Sequence, residues 1–163
     1  MTLWLVRTGR QGEREDFDLH NKVAVIGWDP VGDLASLRER PELTDLLRKA
    51  YPEEKSNTLK KWESELWSFA HEIKPGDLIV FPPKHRSVMV IGEVSEAYRF
   101  IKDNPVGMKH TRSVKSWQEF PRNQFDQDLL YSFGALLTVC RVQRNQAEER
   151  VRALVTGKKV TPN

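Results

Sequence analysis

Residues 56–94 read SNTLKKWESELWSFAHEIKPGDLIVFPPKHRSVMVIGEV, and the reading of this stretch decides the fold. In its first half Leu59, Trp62, Leu66, Phe69, Ala70 and Ile73 recur at helical spacing on one stripe. That predicts a single amphipathic helix over 56–73, capped by Ser56 or Asn57. Lys74-Pro75-Gly76-Asp77 then breaks the pattern sharply. The second half predicts two strands, DLIVFP (77–82) and SVMVIGEV (87–94), joined by the basic turn PKHR.

Upstream, TLWLVR (2–7) predicts a strand and the polar TGRQGERED (8–16) a loop. NKVAVIGW (21–28) predicts a second strand, which ends at Gly27-Trp28 before the turn DPVGD. Residues 34–51 predict one or two short helices, with Pro41 in the first turn of the second. Downstream, 98–102 extends the sheet after DNPVG is set aside as a turn, and HTRSVKSW (110–117) is a further strand. DQDLLYSF (126–133) predicts a short helix closed by Gly134, ALLTVCRV (135–142) a last strand and NQAEERVRALV (145–155) a last helix. Strands in the middle with helices around them define an α+β domain, a mostly antiparallel curved barrel of about six strands. It occupies residues 1–155. The polar GKKVTPN at the end is expected to begin a linker over 156–163.

Composition sets the outer limits. The chain has 163 residues, enough for one core, and its 39% hydrophobic and 30% charged content is ordinary for a globular domain. No apolar run is long enough to span a bilayer, and the N-terminus lacks the pattern of a secretory signal. The single cysteine, Cys140, lies in an apolar run and predicts a buried, inert thiol in a reducing cytoplasm. The net charge is +3, unevenly spread: residues 82–123 hold eight basic and four acidic side chains, residues 1–56 nine and eleven. Such a field favours polyanions, although chance clustering on a solvated surface accounts for it equally well.

The residues for chemistry are sparse. His20, His71, His85 and His110 are scattered, and no cysteine pair exists, so no metal set is expected. There is no glycine-rich phosphate loop and no G-x-S-x-G elbow. Glu53-Glu54-Lys55 imitates a nuclease carboxylate–lysine pair, but it sits in a polar segment with no apolar strand to hold it. Binding is therefore expected rather than catalysis, with no cofactor. Five tryptophans are many for this length. Trp4 and Trp62 fit a core; Trp67 lies off the helical stripe and either lines a side cleft or widens the buried face. Trp28 stands out, because a large aromatic at a strand end beside a turn is placed to wall an open pocket for a flipped base.

Leu3-Trp4-Leu5-Val6-Arg7, Val25-Ile26-Gly27-Trp28, Trp62 with Leu66-Trp67-Phe69, Pro75-Gly76-Asp77, Ile91-Gly92-Glu93-Val94 and His110-x-Arg112-x-Val114 occur in that order. Together with Asp126–Arg152 they resemble the N-terminal domain that precedes Mrr-type restriction nuclease domains, a module similar to the EVE and YTH domains of the PUA-like superfamily. The resemblance covers roughly residues 3–155. It implies a PUA-like barrel whose aromatic pocket accepts a modified, methylated base flipped from DNA, within a modification-dependent restriction system. The partners implied are modified DNA and a C-terminal nuclease domain in the same chain, with no membrane. Trp28 matches one cage wall; Tyr98, Phe100 or Trp62 supplies the other, and Trp67 joins the candidates. Lys84, Arg86, Arg99, His110 and Arg112 are the expected phosphate contacts. An RNA-binding PUA-like module is the alternative, since stacking and basic surface serve single-stranded RNA as well.

Overall fold

The structure, a computed structural model, describes residues 2–157. The proposed linker lies almost wholly outside them. Seven strands make one mixed sheet: β1 (Leu3–Val6), β2 (Val23–Ile26), β3 (Leu78–Phe81), β4 (Val88–Val94), β5 (Arg99–Phe100), β6 (His110–Pro121) and β7 (Val139–Arg141). The order is β2-β6-β4-β3-β1-β7, with the short β5 also paired to β6. All pairings are antiparallel except β1 with β3. The sheet curls into a half-barrel and does not close. The α+β class and the antiparallel bias are as the sequence predicts.

Helices α1 (Glu15–Asn21), α2 (Arg40–Ala50), α3 (Ser56–Trp67), α4 (Gln127–Ser132) and α5 (Ala147–Thr156) surround it, and none is long and apolar enough to cross a membrane. Because successive strand residues point to opposite faces, the sheet builds two cores. Trp4, Val6, Ile79 and Val94 face Leu43, Leu47, Leu66 and Phe69 of the α2–α3 layer. Leu3, Leu5, Leu78 and Val80 face Leu129, Phe133 and Val151 of the α4–α5 layer. Covering both faces explains why LWLV and LIVF read as continuous apolar runs and are buried at every position.

The predicted helix over 56–73 forms, in two parts. It starts from Lys55, whose carbonyl accepts from Leu59, so Ser56 lies inside the first turn and caps nothing. After Trp67 it widens into a π turn, Ser68–Glu72, where the Ile73 amide reaches back to the Ser68 carbonyl. The extra residue keeps Phe69, Ala70 and Ile73 all buried. Pro41 opens α2, reinforced by a capping box between Glu39 and Glu42.

Three departures have local causes. Helix α1 was concealed by its polar composition; only Asp18 among its residues is buried. Strand β6 runs to Pro121, past the predicted end at Trp117, because β4 pairs with it as far as Val88–Pro121. The Cys140 thiol is half-buried rather than fully enclosed; desolvation first, then Glu65, raises its pKa.

Buried polar groups tie these pieces together. Asp77 accepts from the Trp4 indole, the Thr2 amide and the Lys74 amide, at 3.1, 3.1 and 2.9 Å. Glu65 on α3 accepts from the Thr138 and Val139 amides at 2.6 and 3.1 Å and so fixes β7 to the helix layer. Asp18 is different: neither carboxylate oxygen has a hydrogen-bond partner, and the residue is 1% exposed. Burial pushes its pKa well above the usual carboxylate range, opposed in part by the charge of Arg14.

Candidate functional site

The site grows from the end of β2. Gly27 leads into Trp28, whose backbone is left-handed at φ 67°, ψ 40°. A bulky residue pays for that conformation in strain, and it persists only where surroundings enforce it. Here the enforcing groups are all visible. His110 Nε2 donates to the Trp28 carbonyl at 3.0 Å. A carbonyl only accepts, so Nε2 carries the proton and Nδ1 of the neutral ring accepts. Tyr98 Oη donates to that Nδ1 at 2.6 Å and itself accepts from the Leu34 amide at 3.3 Å. Burial lowers the His110 pKa, against the pull of the Trp28 carbonyl, Asp29 and Asp33, and burial drives the Tyr98 pKa far up. Both side chains therefore stay neutral in the fold.

Further clamps hold the loop between Trp28 and Leu34. Asp29 Oδ2 accepts from the Gly107 amide at 2.8 Å, and Leu34 gives its carbonyl to His71 Nε2 at 2.9 Å. Arg14 donates through Nε to the Gly107 carbonyl at 2.9 Å, and one of its terminal nitrogens would lie 3.0 Å from a Cβ on Gly27. Asp29 Oδ1 is shielded from solvent and unpartnered.

Tyr98→Phe tests this relay. It strands the Leu34 amide and removes the proton that keeps His110 Nδ1 an acceptor. A loss of about 1–3 kcal/mol is expected, together with an upward shift of the His110 titration on imidazole NMR. An unchanged titration would mean that the hydroxyl does not control the ring.

The expected pocket residues do gather around this loop, with different roles. Trp28 and Trp62 are both half-buried, but their rings meet edge to face at 6.1 Å and 63°. That geometry leaves no parallel slot for a base between them. Tyr51, not anticipated, packs on Trp62 at 5.0 Å and 71°, forming an aromatic trio. Trp67 stacks on His71 at 4.2 Å and packs against the core, so it widens the buried face. Tyr98 is buried and acts through His110; Phe100 covers the same imidazole at 5.0 Å.

The expected phosphate contacts divide. Lys84, Arg86 and Arg99 are exposed, with Arg86 paired to Glu119. His110 and Arg112 are corrections: at 0% and 1% exposure neither can meet a phosphate. Their strand reads as basic, yet the alternation of β6 turns both side chains inward. Arg112 donates to the Phe69 and Ile73 carbonyls at the π turn, and to the Glu96 carbonyl at 3.0 Å. Desolvation lowers its pKa to about 10, partly offset by Asp77. With Arg112 buried, Arg86 paired and Lys115 bridged to Glu93, the positive excess of 82–123 is weaker at the surface than on paper.

These features define an α+β domain with a strained aromatic loop at one sheet edge. The chain belongs to the family described as a domain of unknown function, DUF8426, whose model matches residues 4–132, from β1 through α4. No curated protein and no solved structure matches it.

Proposed function

We propose that this is a PUA-like domain that reads a modified base flipped out of DNA, as the specificity module of a modification-dependent restriction protein with a nuclease domain in the same chain. One observation carries the reading: Trp28 is held in a strained left-handed backbone by a buried His110–Tyr98 relay, beside Asp29. Strain maintained by dedicated buried groups is characteristic of ligand clamps. Since Trp62 closes the inner side, the base stacks on the outward part of Trp28. Arg99 supplies a phosphate contact from the exposed surface.

The test is binding of duplex DNA carrying methylated or hydroxymethylated bases, against unmodified DNA and RNA of the same sequence. Trp28→Ala should lower affinity for the preferred modified DNA by about 1–3 kcal/mol, roughly five- to more than a hundredfold. Binding to unmodified DNA should survive. Equal affinity for every DNA in wild type, or a preference for RNA, would overturn the reading.

A further inference from the structure

On the opposite side of the sheet, α4, the residues after it and β7 enclose a cleft of about 1020 Å³. Arg122, Arg141, Arg144, Gln127, Gln143 and Tyr131 line it. Its charge is one-sided. Arg122 and Arg144 are exposed and make no ion pair among the described residues; Arg141 is held only at 3.4 Å by Glu148. The nearby carboxylates Asp126 and Asp128 are both engaged by Arg150, at 2.9 and 2.8 Å. A narrower cavity of about 240 Å³ shares Arg122, Leu130 and Gly134 with the cleft and adds Arg7 and Lys84.

The wall that presents Arg144 is rigidly built. Asn145 and Gln146 are both left-handed, at φ 58° and 55°. Asn145 Nδ2 donates to the Asp128 carbonyl at 3.0 Å and to Ser132 Oγ at 2.9 Å, while Arg150 holds the Asn145 carbonyl at 3.0 Å. Asn145, cross-linked in this way to α4, holds the turn that carries Arg144 against it. Tyr131, on α4, is 77% exposed, and nothing in the core requires an aromatic there.

We infer that this cleft binds the phosphodiester backbone of a single nucleic-acid strand, with Arg122 and Arg144 on phosphates and Tyr131 stacking an unpaired base. Fixed cations beside an exposed aromatic are the combination single-strand sites use. A concave cleft of this size admits a nucleotide or two but not the convex side of a duplex. The inference rests on the nucleic-acid reading above, but on a different surface from Trp28. One link between the two surfaces runs through α1, where Glu15 accepts from the Lys84 amide at 2.8 Å and the neighbouring Arg14 approaches Gly27.

The experiment is fluorescence anisotropy of labelled single-stranded DNA and RNA of one sequence, about ten nucleotides long, against the folded protein over a salt series. Reversal of both cations, Arg122→Glu with Arg144→Glu, should lower affinity at least tenfold. It should also flatten the log–log salt slope by about 1.4, the share of two phosphates on a single strand. Tyr131→Ala should lower affinity about fivefold and leave the slope unchanged. All three residues are exposed, and circular dichroism should report wild-type melting. Whichever of DNA and RNA binds tighter identifies the source of the strand. Strong binding unaffected in both variants overturns the cleft and leaves Trp28 untouched. Loss of binding in the charge-reversed protein without any wild-type preference for a modified base supports the cleft and removes base reading. A wild type that binds neither strand at low salt overturns the cleft and leaves the duplex reading to its own test.

Discussion

Arg112→Ala is expected to cost about 3–5 kcal/mol of stability. The fully buried guanidinium donates to carbonyls from three places in the chain: Phe69 in the π turn, Ile73 just after it and Glu96 after β4. Truncation leaves the buried Phe69 and Ile73 carbonyls without this donor, each costing about 1–3 kcal/mol if unmade, and opens a cavity. Partial relaxation and entering water keep the total below that sum. For a domain of this size the melting temperature should fall by roughly 6–20 °C. Since native domains are stable by only about 5–15 kcal/mol, much of the protein would unfold near 37 °C. Arg112→Lys should lose less but still measurably, because an ammonium cannot span carbonyls so arranged. Thermal melts of the two variants decide it. Wild-type melting accompanied by weakened DNA binding would return Arg112 to the surface role that its sequence context suggested.

Asp18→Asn is expected to stabilise the protein at neutral pH by about 1–3 kcal/mol, because it removes a buried charge that has no hydrogen-bond partner. The pKa of Asp18 is raised in the fold, chiefly by burial. A raised pKa means that the folded state holds its proton more tightly than the unfolded chain does. Stability from this group is fully present below the unfolded value of about 3.9 and is lost as pH rises through the folded value. The neutral amide removes that loss. The gain over wild type should therefore be largest near pH 7 and vanish toward pH 4. His110 acts in the opposite direction: its lowered pKa makes stability fall as the medium acidifies below about 6.5. Melting temperatures of wild type and Asp18→Asn across pH 4–8 separate the two groups. An Asn variant that is less stable at pH 7 would show that Asp18 gains more from Arg14 than burial costs it.

What could be read from the sequence was whatever periodicity writes locally. The stripe from Leu59 to Ile73 fixed the long helix, and the apolar runs at 78–81 and 88–94 fixed two strands. The π turn was hidden, because the residue that binds its carbonyls, Arg112, lies about forty positions downstream. Trp28 could be singled out from its place after a strand and a glycine, but not its left-handed backbone, which depends on His110 and Tyr98 reaching across from other strands. The same distance dependence explains the misplaced cations. In a strand, inward and outward positions differ only by parity, and HTRSV carries polar residues on both. Tyr51 went unnoticed because it ends α2 next to Pro52, where nothing local points toward Trp62.

The position of β1 has a consequence for how the chain reaches its native state. This strand, made first, sits between β3 and β7, whose partner residues lie about 75 and 135 positions away. During synthesis LWLV has no neighbour until Leu78–Phe81 emerges, and its second edge stays open until Val139–Arg141 is made. Such non-local pairing places the domain among slow folders, in the millisecond-to-second range. An apolar edge left open for that long is a site where nascent chains can pair with each other.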